Sequence, residues 1–296
     1  MSGLEVILRD GFDTLRRNLN LIIPFILQQV ITWITMAIVF LALYFTVLAP
    51  IIPYLERVGV DSSPSPEVLL KIWMMIAPSL PLLITAFILL LLFFALLDAF
   101  IWAGAIGMAR RAIETGRSTL GDMIEYGKKK FLSVFVSNLI ITVLSLLGFS
   151  ALIPGIIALS SSRSIGPLLL LLGVLIMVLY LIFITLSLYL ARFAIVVDDV
   201  GAIEGIKRAY RVFTSNKLDL LLLALVILAI SLVISLPPAL VGMLLSFIPI
   251  VGWILEMMIS LLLSALLSAL ILAWFTHFYI DRKQRSPQIQ PPSEPL

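Results

Sequence analysis

Hydrophobic positions along the chain fall into two patterns. The first is the unbroken run: residues 21–48, 82–107, 131–152, 167–191, 220–236 and 253–280 are almost wholly apolar. A bilayer's hydrocarbon core needs about 20 such residues in a helix, so each of the six runs is long enough to cross. The second is the amphipathic stripe. Leu4, Leu8, Phe12, Leu15 and Leu19 recur at helical spacing, while Glu5, Arg9, Asp13, Arg16 and Arg17 occupy other faces. Ile203, Ile206, Tyr210 and Phe213 make a similar stripe opposite Glu204, Lys207, Arg208 and Arg211. A weaker one, Leu120, Met123, Ile124 and Gly127, opens on Thr119 and Asp122, a pair related to the capping box. Each stripe precedes two runs, and proline follows the first run of each pair, at Pro50 and Pro53, Pro154, and Pro237 and Pro238. Proline cannot continue a regular helix, so these positions are expected to mark turns. Residues 237–252 are uncharged and apolar although the fifth run can cross by Leu236; they are expected to form a helix in the outer interface or a shallow re-entrant loop. The pattern predicts an all-α polytopic membrane protein: six transmembrane helices as three hairpins, each preceded by an interfacial amphipathic helix.

Composition agrees and removes alternatives. Of 296 residues, 61% are hydrophobic and 12% charged, against about 45–50% and about 25% in a soluble chain, so there is too little polar surface for a water-facing globule. Absence of cysteine excludes thiol nucleophiles, disulfides and thiolate metal sites, and one histidine excludes a multi-histidine metal site. No cofactor is expected. A net charge of +3 is no argument for nucleic acid, because basic membrane proteins arise from topology. Its distribution sets an orientation: 17 of the 20 Lys and Arg fall before the first run, between the second and third, between the fourth and fifth, or after the sixth. The remaining Arg57, Lys71 and Arg163 lie on the other side. Lys and Arg accumulate on the cytoplasmic side, so both termini and the three amphipathic stretches are expected there, in the cell membrane. Trp73 and Trp253 then fall at the outer boundary and Trp102 and Trp274 at the inner one, where indole rings are favoured; Trp33 lies within a span. No cleaved targeting segment is expected, since the first run is long and acids precede it.

Laying the first stripe over the third superposes Arg9, Phe12, Leu15 and Asn18 on Lys207, Tyr210, Phe213 and Asn216. This predicts one membrane domain over 1–280 with pseudo-repeats of about 1–108, 109–191 and 192–280, followed by a disordered cytoplasmic tail over 281–296, rich in proline. Residues 189–217 carry an apolar run before Asp198, then Gly201, Ala202, Glu204, the Lys207-Arg208 pair, Tyr210 and a Thr214…Asn216 turn. With residues 111–122, they resemble the membrane domain found beside some glycerophosphoryl diester phosphodiesterases and in related uncharacterised archaeal and bacterial integral membrane proteins. The resemblance implies a fold type and no activity, because the phosphodiesterase domain has no counterpart here.

Ionisable residues within spans are costly and often functional. Asp98 has Gln28, Gln29 and Asn138 at similar depth, a combination that reads either as a protonatable site in a polar pocket or as polar glue between helices. Ala95, Ala99, Ala103 and Gly107 lie at the spacing that lets helices approach closely. Glu256, Ser260, Ser264 and Ser268 share that spacing beside Ala265, Ala269 and Ala273, and read as a packing face or as part of a polar solute path. His277 reads as an interfacial anchor. Arg110, Arg111, Arg117, Lys128, Lys129 and Lys130 are topogenic and also suited to anionic lipid headgroups, at about 1 kcal/mol each. No nucleophile elbow or phosphate-binding glycine loop is present. The leading expectation is a non-enzymatic membrane protein with a structural, scaffolding or regulatory role, whose partners are lipids and other membrane proteins. The alternative is a small-solute permease, or the membrane subunit of a transporter, using Asp98.

Overall fold

The computed structural model describes residues 3–58, 65–161, 165–245 and 247–283. The tail expected to be disordered from 281 begins later, because the last helix continues through Lys283; residues 284–296 and Arg163 lie outside the described residues. Among the described residues the chain is helical, without strands, and six helical stretches are long and apolar enough to cross a membrane: Leu19–Arg57, Pro66–Thr115, Leu120–Leu159, Gly166–Val197, Lys217–Leu244 and Ile250–Lys283. All six overlap the sequence runs and extend them, because helices continue into the interfaces. Phe40 and Leu89, 67% and 60% exposed, are stable only where the surrounding solvent is itself apolar.

The chain divides into two compact units, residues 27–98 and the remainder. The smaller comprises most of α2 (Ile23–Leu43), α3 (Ala49–Val58), α4 (Pro66–Ile76) and the first half of α5 (Leu80–Thr115). Here Pro50 and Pro53 do not end the first helix. A π turn at Tyr44–Leu48 precedes them and α3 carries Pro53 in its interior; widening the helix absorbs the clash that proline makes with the preceding turn. Ser65 caps α4, accepting a hydrogen bond from the Val68 N–H at 3.4 Å, and the Lys71 ammonium lies 5.1 Å from the Tyr54 ring centroid.

The larger unit contains α1 (Leu4–Arg17), the second half of α5, α6 (Leu120–Leu147), α7 (Ile153–Ser161), α8 (Gly166–Leu188), α9 (Ala191–Val197), α10 (Ala202–Ser215), α11 (Lys217–Leu244) and α12 (Pro249–Lys283). Its core sits at the basic ends of the helices, where Ile101, Ile106, Met108, Phe193, Ile195, Leu272 and Phe278 are fully buried. α1 packs on α12, α9 on α6 and α10, and α11 along α12.

Two further expectations differ from the structure. α6 runs unbroken from a full capping box at Thr119 and Asp122, so the middle amphipathic stretch forms the first turns of the third apolar helix instead of a separate one. α11 continues through Pro237 and Pro238 to Leu244, and α12 opens at Pro249. Among the described residues, 237–252 therefore form no separate helix, 237–244 belonging to α11 and 249–252 to α12. Apolar residues on the flanking turns favour continuing the helix, which leaves fewer backbone groups unpaired in lipid than a break would.

Candidate functional site

The densest polar array lies in the link between α9 and α10. α9 is buried along its length because nearly every side chain in it is apolar, and it delivers Asp198 to the interior, with its side chain 1% exposed. Asp198 Oδ2 accepts hydrogen bonds from Arg208 Nη1 at 2.8 Å and the Tyr279 hydroxyl at 2.7 Å, and Oδ1 accepts from the Lys283 ammonium. Burial pushes this carboxyl upward, but the hydrogen bonds from Lys283, Arg208 and Tyr279 outweigh it and hold its pKa below the ordinary carboxylate value.

Asp199 turns the chain with φ +57°, a left-handed conformation that aspartate tolerates better than most residues. Its carboxylate receives Lys129 at 2.7 Å and Lys130 at 2.6 Å, and those hydrogen bonds pull its pKa down to about 2. Lys130 also donates to the Val200 carbonyl at 3.2 Å. Two consecutive acids thus connect the α9–α10 link to α6, α10 and α12. Beside them Arg282 bridges to Asp219 on α11 at 2.6 Å, and Arg208 and Arg211 share Glu204 at 3.1 and 3.2 Å.

α1 is held by a second set of contacts. Gly11 lies beneath the Trp274 ring, where a Cβ would collide with the indole, and Trp274 Nε1 donates to the Leu8 carbonyl at 2.9 Å. Thr14 and His277 share a hydrogen bond of 2.9 Å. Asn18 donates to the carbonyls of Thr14 and Gly116, at 3.1 and 3.3 Å, and accepts from the Ser118 N–H at 3.1 Å. α1, the end of α5 and α12 line an open cavity of about 250 Å³ with several charged and polar side chains. An apolar groove of about 210 Å³ lies among α8, α11 and α12, lined by Leu186, Tyr189, Leu220, Ile227, Ile271 and Phe275.

The residues anticipated from the sequence have varied placements. Gln28 donates to Asp98 at 3.2 Å; Gln29 is half-buried beside it in sequence, and Asn138 belongs to the larger unit. Glu256 lies against Gly242 of α11, its carboxyl carbon 2.7 Å from where a Cβ would stand. Ser264 and Ser268 donate to carbonyls of their own helix, Leu261 and Ser264 respectively, while Ser260 is exposed. Ala265, Ala269 and Ala273, like Ala99, Ala103 and Gly107, are buried packing positions. Of the basic cluster, Arg110 pairs with Glu114 at 2.8 Å, Arg111 with Asp122 at 3.3 Å, and Lys129 and Lys130 with Asp199; Arg117 and Lys128 are exposed. Sequence reasoning did not bring together Asp198, Tyr279 and Lys283, nor Thr14 with His277. The consecutive Asp198-Asp199 pair beside an apolar run was the available signal. Among the described residues no group of three or more His, Asp or Glu side chains could hold a metal ion.

Residues 4–281 match the family described as a domain of unknown function, DUF7847. The chain belongs to that family. No curated protein and no solved structure matches it. The match spans both compact units and includes Asp198, Asp199, Lys129, Lys130, Arg208 and Tyr279, while Arg282 and Lys283 lie just beyond it.

Proposed function

We propose that the chain is a non-enzymatic membrane scaffold whose basic end faces the cytoplasm as an interlocked helical platform. The observation that carries the reading is the buried Asp198. A buried charge is tolerated when it is paired and hydrogen-bonded, and here its partners come from α10 and α12 while neighbouring Asp199 takes two lysines of α6. These charges are engaged in holding helices in register, as a binding platform requires. The pseudo-repeat reading draws support from the two amphipathic helices. α1 and α10 are 14 residues each, offset by 198, and end at Asn18 and Asn216, whose side-chain amides donate to the Thr14 and Val212 carbonyls at 3.1 and 3.0 Å. They are interfacial helices introducing the first and third hairpins. Kinship with the phosphodiesterase-associated membrane domain accords with this, since the segments that resemble it, 111–122 and 189–217, both lie at the platform.

Cross-linking in intact membranes, paired with solute flux in proteoliposomes, tests the function. A scaffold yields a defined set of neighbouring membrane proteins and flux equal to that of protein-free liposomes. Flux that the parent supports and Asp98→Asn abolishes would overturn it in favour of the permease, with Asp98 as the proton-carrying group.

A further inference from the structure

The open cavity beside α1 has a feature that helix docking does not require. Asp10, Asp13 and Arg17 all line it, together with Thr14, Asn18 and His277. Asp13 and Arg17 stand four residues apart, with the acid N-terminal, the arrangement in which helical side chains ordinarily pair; among the described residues no ion pair joins them. Asp10 approaches Arg9 at 3.8 Å, with both side chains substantially exposed. The third repeat provides an internal comparison. At the same offset of 198, Asp10 and Asp13 correspond to Arg208 and Arg211, which the protein neutralises through Asp198 and Glu204. In α1 the corresponding acids face a cavity. The neutral lining is already committed: Thr14 to His277, and Asn18 to the Thr14 and Gly116 carbonyls and the Ser118 N–H. What remains available around a common space is the Asp13 carboxylate and the Arg17 guanidinium, with Asp10 held by Arg9 only in an exposed pair at 3.8 Å.

We propose that this cavity binds an aminoalkyl phosphate zwitterion, with the ammonium against Asp10 and Asp13 and the phosphate toward Arg17. Charge complementarity selects the zwitterion over a simple anion, which the two acids repel, and over a simple cation, which leaves Arg17 without a counter-ion. About 250 Å³ lies below the roughly 300 Å³ where pockets for drug-sized ligands begin, and suits a headgroup. The chemistry is shared by an aminoethyl phospholipid and by free phosphoethanolamine.

The test uses the full chain in detergent, read by native mass spectrometry during titration with phosphatidylethanolamine, with phosphatidylglycerol, which lacks the amine, and with soluble phosphoethanolamine. Phosphatidylethanolamine is expected to bind at least about tenfold more tightly than phosphatidylglycerol. Asp13→Asn and Arg17→Gln are each expected to weaken it about tenfold, the scale of one charge-assisted hydrogen bond, while Glu5→Gln, outside the cavity, leaves it unchanged. Soluble phosphoethanolamine that competes with the lipid supports the site and shows that the headgroup suffices; binding of the soluble compound alone supports it and assigns the source to the aqueous phase. Equal retention of both lipids with no binding of phosphoethanolamine would overturn the proposal, as would parent-like binding by both cavity variants. Should a variant unfold, competition on the parent decides instead: displacement of the lipid by phosphoethanolamine and not by glycerol phosphate supports the site, and equal displacement by both overturns it. None of these outcomes depends on the scaffold reading, which concerns the Asp198 array.

Discussion

Asp198 and Asp199 adjoin in sequence but differ in what their removal should do. Replacing Asp198 by Asn keeps the shape and deletes the charge, leaving Arg208 and Lys283 beside a buried amide. Breaking a buried pair costs about 3 kcal/mol or more, and Asp198→Asn is expected to lower the thermal midpoint of the full chain in nanodiscs accordingly. Asp199→Asn should cost under about 1 kcal/mol, because its side chain is 49% exposed and solvent screens such pairs. Acid tests the same contacts. Both carboxyls have folded pKa values below their unfolded ones, so their stabilisation is complete above the unfolded value near 3.9 and is lost as pH falls through the folded value. For Asp199 the window runs from there down to about 2. The midpoint is expected to be insensitive to these groups at neutral pH and to fall below about pH 4, with Asp199→Asn losing its share of that slope. A slope from these two groups centred near pH 6 would contradict the assignment.

At the scale of elements, α1 is the helix whose attachment is easiest to isolate. Gly11 is the position where α1 passes directly beneath the Trp274 ring, so Gly11→Val should lever the helix away from α12 while changing no residue of a span. Limited trypsin digestion reads the result: cleavage at Arg16 and Arg17, slow in the parent, should accelerate several-fold, while sites in the Arg110–Lys130 stretch keep their rate. Unchanged cleavage would mean that α1 is held mainly by Asn18 and the 116–118 segment. The existence of α1, α10 and the six apolar helices was legible from residue spacing, because amphipathicity and apolar length are properties of local sequence. The ends were not. Pro237 and Pro238 read as a stop because proline cannot continue a regular helix, yet in lipid a helix that carries on past proline leaves fewer backbone groups unpaired than one that ends there. Contacts of Asp198 with Lys283, 85 residues away, and of Thr14 with His277, 263 away, depend on how helices pack, and no local pattern encodes that. The Arg110–Lys130 cluster shows the same limit: its residues read as a row of available cations, and packing commits Arg110, Arg111, Lys129 and Lys130 to acids.

For the molecule as a whole, the charge partition predicts which side of the membrane the basic helix ends face. Seventeen of 20 basic residues lie on alternate connections, and at about 1 kcal/mol per basic residue near an anionic leaflet the bias far exceeds what Arg57, Lys71 and Arg163 could oppose. The ion pairs modify this argument without reversing it, since orientation is set during insertion, before Lys129 and Lys130 have met Asp199. The native chain has no cysteine, so single substitutions report position without background. Ser62→Cys, in the first outer connection, is expected to react with a membrane-impermeant maleimide in intact cells. Arg117→Cys, at an exposed position beside the platform, is expected to react only after permeabilisation. The reverse pattern would place the platform, its cavity and both described ends outside the cell, and would detach the scaffold reading from cytoplasmic partners. Labelling of both sites in intact cells would mean that the chain inserts in two orientations, as expected only if the charge held within ion pairs no longer counted toward topology.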